Sequence, residues 1–371
     1  MAGNRLFTIA QKEFFDHIKS RKFLLIFGIL LVVAIVGMIG GITEYNKNLD
    51  SYNKHQSTIS SPLSGYMAEK PSIISVFSSV ATYLMFVGGI LGIAMGFDLV
   101  SKEKESKSLK ILLSHPVYRD EVINGKALGG IAALAGALFI VLFIALATLL
   151  IYGIVPDANE LVLIGVFGIV SFLLIFSYFA IALFMSTAMD ESGSALIYTI
   201  IIFIVLSVLV PTLANDSVME YVIGSQPELP QELLDQMQRP ANASNGAANI
   251  ISFSSTGGNT ESSNGAWNQF NERMQVYWEK RQMVHDTLAL FSPAMNYESV
   301  TSAITSQYTG SSMTLGGSGS KTATSFSVTM NGNAGVEDVF SKIIANLIAL
   351  LLFPAVFFGL AYMRFMRLDV R

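Results

Sequence analysis

DLVSKEKESKSLKILLSHPVYRDEVINGK, residues 98–126, carries six Lys/Arg and five Asp/Glu between two runs without charge, 71–97 and 127–156. Each flanking run is long enough to cross a bilayer, which takes about 20 apolar residues. A highly charged stretch between two such runs is a loop in water joining two membrane helices. Its six basic residues assign it to the cytoplasmic side, where short loops are enriched in Lys and Arg. Its middle reads as a two-faced helix, with Leu109, Leu112 and Leu113 on one arc and Glu103, Lys107 and Lys110 on the other. A loop that holds such a helix out from the membrane is built to be gripped by something soluble.

The rest of the chain agrees. Of 371 residues, 52% are hydrophobic and only 13% charged, against roughly 25% in soluble domains; mean hydropathy is +0.53. Six runs are apolar and free of Asp, Glu, Lys and Arg: 23–43, 71–97, 127–156, 161–189, 192–215 and 343–363. An even number of crossings puts both termini on one side. Arg5, Lys12, Lys19, Arg21 and Lys22 before the first run, and Arg364, Arg367 and Arg371 after the last, make that side cytoplasmic. No small-residue cleavage site follows 23–43, so it stays as a span. The expected fold is an all-α polytopic membrane protein of the cell membrane.

Residues 1–22 read as an amphipathic helix lying along the membrane interface. Leu6, Phe7, Ala10, Phe14 and Ile18 form its apolar arc, and Arg5, Thr8, Lys12, Asp16 and Lys19 the arc toward anionic headgroups. An anchor and a second contact for a cytoplasmic partner both fit it. On the outer side, 44–70 reads as a loop and 216–342 as an extracellular domain, followed by the last span (343–363) and a cytoplasmic tail (364–371). Two uncharged windows, 240–260 and 299–320, are rich in Ser, Gly, Asn and Thr and read as loops. Between them Trp267, Phe270, Met274, Tyr277, Val284, Leu288 and Phe291 recur at three- and four-residue steps, with Arg281 interrupting. A helix packed on its own domain and an intermolecular coiled coil share that pattern. Asn242-Ala243-Ser244 is a possible glycosylation site.

The composition excludes several chemistries. There is no cysteine, hence no disulfide and no thiolate site. His17, His55, His115 and His285 lack a second ligand at helical spacing, which argues against zinc. The methionine pairs Met85/Met95, Met185/Met189 and Met363/Met366 read as packing residues rather than copper ligands. None of the six runs carries a mid-membrane charge of the kind that ion-coupled transporters use. No phosphate-binding loop is present, since Gly319-Ser320-Lys321-Thr322 and Gly125-Lys126-Ala127 each lack part of the motif. If ATP drives this chain, a separate polypeptide binds it. Gly88, Gly92 and Gly96 set a flat strip on the second span, suited to close static packing or to a sliding contact that opens a pathway.

Three segments resemble the permeases of ABC transporters, in particular the six-span ABC-2 type. They are Ile9-Ala10-Gln11-Lys12-Glu13-Phe14 leading to Ser20-Arg21-Lys22-Phe23, the 98–126 stretch with its Leu-rich turn, Pro116 and Arg119, and Phe291-Ser292-Pro293-Ala294-Met295-Asn296-Tyr297. The usual Gly-Thr of the second segment is Lys107-Ser108 here, and 216–266 and 309–335 are not covered. The resemblance implies an elbow helix (Lys12, Glu13, Phe14, Arg21) and a coupling helix docked in a cytoplasmic ABC ATPase. Leu109, Leu112 and Leu113 would fill the cleft, and Asp98, Glu103, Lys104, Lys107, Ser108, Pro116 and Arg119 would shape and orient the contact. Asp190 and Glu191, between spans four and five, would add a smaller one. It further implies a pathway between two such subunits, most simply a homodimer in the lipid bilayer, that exports its substrate. The chain would not itself be catalytic and would bind no cofactor, ATP and Mg residing in the partner ATPase; no nucleic acid is involved. A membrane-anchored scaffold whose extracellular domain binds a partner is the alternative from another class, and a secondary transporter or channel a third. The substrate is not legible.

Overall fold

The computed structural model describes residues 2–58, 71–108, 118–229, 231, 261–306, 316–317, 326–327 and 336–368. It is almost entirely helical. Among the described residues six helices are long and apolar enough to cross a membrane: Arg21–Lys54, Ile73–Glu105, Arg119–Ile151, Ala158–Ala188, Ser192–Leu213 and Ile344–Met366, here spans one to six. A further helix, Ala2–Lys19, precedes them.

Spans two and four form the centre. In each, 61% of the most apolar window is buried, against 22–33% in the other four. Span four presents Leu174, Tyr178, Phe179 and Leu183, all buried, to its neighbours, and span six packs along much of its length. Pro354 interrupts span six. Proline has no N–H, so the carbonyl of Leu350 loses its intrahelical partner; Ser177 Oγ of span four lies 3.4 Å from it while donating to Leu173 O at 2.7 Å. The outer faces carry exposed Val32, Phe139, Phe143, Ile169 and Ile201. A soluble protein would bury such side chains, whereas a helix in lipid need not.

The chain divides into two compact units. The first holds Met1–Pro211, Ala289–Gly310 and Asn333–Arg371; the second holds Thr212–Leu288 and Ser311–Gly332. The second unit contains the helix Asp216–Ile223, most of the helix Glu261–Ala289, and a two-residue antiparallel pairing of Gly316–Gly317 with Phe326–Ser327. Along Glu261–Ala289, Phe270, Met274, Tyr277, Arg281, Val284 and Leu288 are half-buried at their heptad-like positions, while their neighbours on the other face are exposed.

Several boundaries differ from expectation. The first span continues as helix to Thr58, because 44–58 contains no Gly or Pro and a formed helix propagates cheaply. The third starts at Arg119, so the last eight residues of the stretch read as a loop are helix. The second is broken by a wide turn at Leu84–Gly88. Within the polar window 299–320, read as loop, residues up to Ser306 belong to a helix, Pro293–Ser306, whose Tyr297, Val300 and Ile304 are buried in the first unit. Its polar side chains fold back on its own backbone, Thr301 and Thr305 donating to Tyr297 O and Thr301 O. That satisfies them without water.

Candidate functional site

One end of the helix bundle gathers the start of spans one, three and five with the end of spans two, four and six. The charged stretch is held there by both of its ends. After Gly96 the backbone turns into a short helix, Ser101–Glu105. The first N–H groups of a helix have no internal partner. Here the Ser186 hydroxyl of span four accepts from Val100 N and Ser101 N, each at 2.9 Å, while Ser101 Oγ donates to Phe97 O at 2.9 Å.

The next two side chains meet helix termini of opposite polarity. Lys104 Nζ donates to Thr187 O (2.7 Å) and Met189 O (3.0 Å) at the carbonyl end of span four, with Asp190 at 3.8 Å. Glu105 Oε2 accepts from Ser192 N at 3.2 Å and from the Ser192 hydroxyl, at the amide end of span five. A cation at a helix C-terminus and an anion at an N-terminus are each favoured by the macrodipole. On the far side of 109–117, Arg119 Nη1 donates to Leu368 O (2.7 Å) and Met366 O (3.4 Å), closing the end of span six.

Among the described residues Lys126 is the deepest charge. Its Nζ lies 2.8 Å from Glu13 Oε1 of the Ala2–Lys19 helix and 2.8 Å from Glu103 Oε1, with side-chain exposures of 5%, 13% and 22%. One ammonium thus ties three segments. Beside it Lys22 bonds Asp98 at 2.9 Å and lies over the Phe97 ring at 4.7 Å.

The Ala2–Lys19 helix packs on span three through glycines. A Cβ on Gly129 would fall 2.6 Å from Glu13 Cβ and 2.7 Å from Ala10 O, and one on Gly125 would fall 2.8 Å from Ile9 Cγ2. The packed face is therefore centred on Ala10 and Glu13, which rotates the expected arc. Phe7, assigned to the apolar arc, is 70% exposed, and Ile9, Glu13 and His17 face inward with Phe14 and Ile18. Lys12 pairs with Asp16, at 3.9 Å on the exposed side, and Arg21 is exposed at the start of span one.

His17 Nε2 is buried without a hydrogen-bond partner among the described residues. Burial pushes the imidazole below its ordinary value of 6.5; Glu13, Asp98 and Asp16 oppose that shift and Lys126 adds to it. A histidine held neutral in the docked helix takes up its proton more readily once undocked. Docking is therefore at full strength above about pH 6.5 and weakens as pH falls from there through the lowered value. A bimane on Gln11→Cys, on the exposed face, should report rising mobility as the pH falls below 6.5. His17→Gln should flatten that response.

Lys107, exposed, adopts φ 56° two residues after the short helix, so the two-faced helix expected to run through Glu103 and Lys107 is interrupted there; Ser108 Oγ lies 2.8 Å from Ser106 Oγ. Glu191 stands just before the first residue of span five. Leu109, Leu112, Leu113, Pro116 and Asn242 lie outside the described residues. Gly88, Gly92 and Gly96 face span four, and a Cβ on Gly92 would fall 2.5 Å from Ile175 O. Lys126, Lys22, Glu105, Ser186 and the pair Gly125/Gly129 were not singled out from sequence for this site. A lysine one residue after the first glycine of a Gly-x-x-x-Gly pair, at the edge of an apolar run, was the available signal. Among the described residues no cluster of three or more His, Cys, Asp or Glu forms a metal site.

Six apolar helices whose charges are confined to their ends define a multi-pass membrane protein, and the arrangement has known relatives. A family model described as "ABC-2 family transporter protein" matches residues 7–370, and the chain belongs to that family. It is 27% identical over 195 residues to a probable ABC transporter permease protein NosY of Pseudomonas aeruginosa, covering 51% of this chain and 62% of that one. A probable NosY permease of Stutzerimonas stutzeri is 27% identical over 197 residues, covering 52% and 63%. The chain thus spans less than two thirds of the length of either relative.

Proposed function

We propose that this chain is the membrane-spanning permease subunit of an ATP-driven ABC exporter, working as a homodimer on a separate cytoplasmic ATPase that holds ATP and Mg. Both termini and the 98–126 stretch are cytoplasmic in this reading, and the second unit is extracellular. The observation that carries it is the anchoring of the charged stretch. Lys104 and Glu105 bond the facing ends of spans four and five, and Arg119 bonds the end of span six. Lys126 bonds Glu103 and Glu13. A push on 109–117 is therefore delivered to most of the bundle at once, as a coupling helix requires. A scaffold that only anchors an outer domain has no use for such a connection.

The test is capture of the ATPase. Burying Leu112 and Leu113 in a partner cleft contributes about 1.5–3 kcal/mol each, and carboxylates there add a desolvation cost. Leu112→Asp/Leu113→Asp should abolish co-purification of the ATPase or the stimulation of its hydrolysis, with Lys107→Ala close to the parent. Full binding and stimulation by the double variant, or ATP turnover by the purified chain alone, would refute the reading. Orientation is tested separately. Because the chain has no native cysteine, Ser262→Cys should react with an impermeant thiol reagent in intact cells. Labelling only after lysis would invert the topology.

A further inference from the structure

Span five contains a second wide turn, Val205–Leu209, in which the Val210 N–H bonds Val205 O five residues back. In that register the Leu206 carbonyl waits for the N–H of residue 211, which is a proline and has none. Within a membrane a carbonyl so orphaned must find another donor. The Ser292 hydroxyl supplies it, at 2.5 Å from Leu206 O, and accepts the Met295 N–H at 3.2 Å as the cap of the helix Pro293–Ser306. One residue along the turn, Ser207 Oγ is bonded to the Tyr178 hydroxyl of span four, whose ring meets Phe203 edge-on at 4.9 Å.

An ordinary helical register exchanges the roles of two adjacent carbonyls. The Val210 N–H would then serve Leu206 O, and Pro211 would orphan Ser207 O instead. Each register leaves one carbonyl without a backbone donor, and in the wide one Ser292 already fills the gap. Conversion between them rotates the Pro211 end of span five by roughly 100° against its Ser192 end, one residue's worth of helix. Wide turns of this kind inside helices are often found at functional positions.

We infer that Ser292 is a positioning residue that selects between two registers of span five. The segment Phe291–Tyr297 then sets the rotation of that span's far end, and Tyr297, bonded to Ser171 of span four at 3.0 Å, holds the segment in place. Any event that displaces this segment releases the Leu206 carbonyl and favours the other register. The inference goes beyond ATPase coupling and stands without it.

The full-length chain, which has no cysteine of its own, allows a direct test. Nitroxides on Tyr198→Cys and Leu213→Cys, 50% and 41% exposed, flank the wide turn, and their separation reports the register. Ser292→Ala should populate a second separation, shifting the ratio of registers by roughly tenfold or more. Ser292→Thr, which keeps the hydroxyl, should match the parent. Pro211→Ala restores the missing N–H, so adding Ser292→Ala to it should change nothing further. An unchanged separation in Ser292→Ala, or an equal effect of Ser292→Ala with and without Pro211→Ala, overturns the inference. Should Ser292→Ala alone fail to fold, the Pro211→Ala background must rescue it; failure there as well overturns the inference too.

Discussion

Lys126→Ala should lower the stability of the folded chain by about 3–5 kcal/mol, the usual result of removing one partner from a buried ion pair. The loss is large because two carboxylates are left behind. Glu13 and Glu103 each lie 2.8 Å from the ammonium, and neither is more than 22% exposed. Glu103 is the more exposed of the two, whereas Glu13 is held on the face packed against Gly129. Lys126→Met/Glu13→Met should therefore recover most of the loss, since a well-packed apolar pair often replaces a buried ionic one at little cost. Thermal unfolding of the detergent-solubilised chain, followed by size-exclusion chromatography, measures both. A double variant as unstable as Lys126→Ala would mean that the missing charge itself, rather than the stranded carboxylate, sets the loss.

The second large effect belongs to Gly92→Val. A Cβ there would fall 2.5 Å from Ile175 O and 3.1 Å from Phe179 N. Both are backbone atoms of the central span, so no side-chain adjustment relieves the clash. Overpacking in a well-filled core costs about 1–3 kcal/mol when side chains give way, and a backbone collision at the centre of the bundle should exceed that. Folded protein should fall to a small fraction of the parent level. Gly165→Ala is the contrasting substitution. Nothing lies within 4 Å of a Cβ at that position, and alanine in a helix interior gains roughly 0.5–1 kcal/mol over glycine. Equal behaviour of the two variants would show that the strip on span two is not a load on the fold.

Much of this architecture is written locally. Apolar runs of bilayer length, bounded by Arg21 and Lys22 or by Asp98 and Lys102, mark the spans because the cost of placing charge in hydrocarbon acts on each segment by itself. The Gly88/Gly92/Gly96 strip is legible for the same reason, although the helix it meets is not. What escaped the sequence is pairing at a distance. Lys126 reads as the last charge of a loop until Glu13, 113 residues earlier, is brought against it. The orphan carbonyl made by Pro211 meets Ser292 only through the fold. Helix Pro293–Ser306 was hidden by its own composition: Ser and Thr suggest solvent, and only the back-bonding of Thr301 and Thr305 lets them lie inside.

The position of span four at the middle of the bundle also bears on how the chain is made. Its face toward span six, where Phe184 meets Phe357 at 6.0 Å and Ser177 reaches the Leu350 carbonyl, is finished long before its cover exists. The ribosome must still make everything from Met189 to Ile343 before Ile344 begins that last span. At the usual pace of synthesis this takes roughly ten to thirty seconds. Through that interval the face of span four toward span six stays open in the bilayer to any neighbour that fits it. Ribosome stalling or premature termination anywhere in that stretch leaves the same surface uncovered, which makes it a natural mark for membrane quality control.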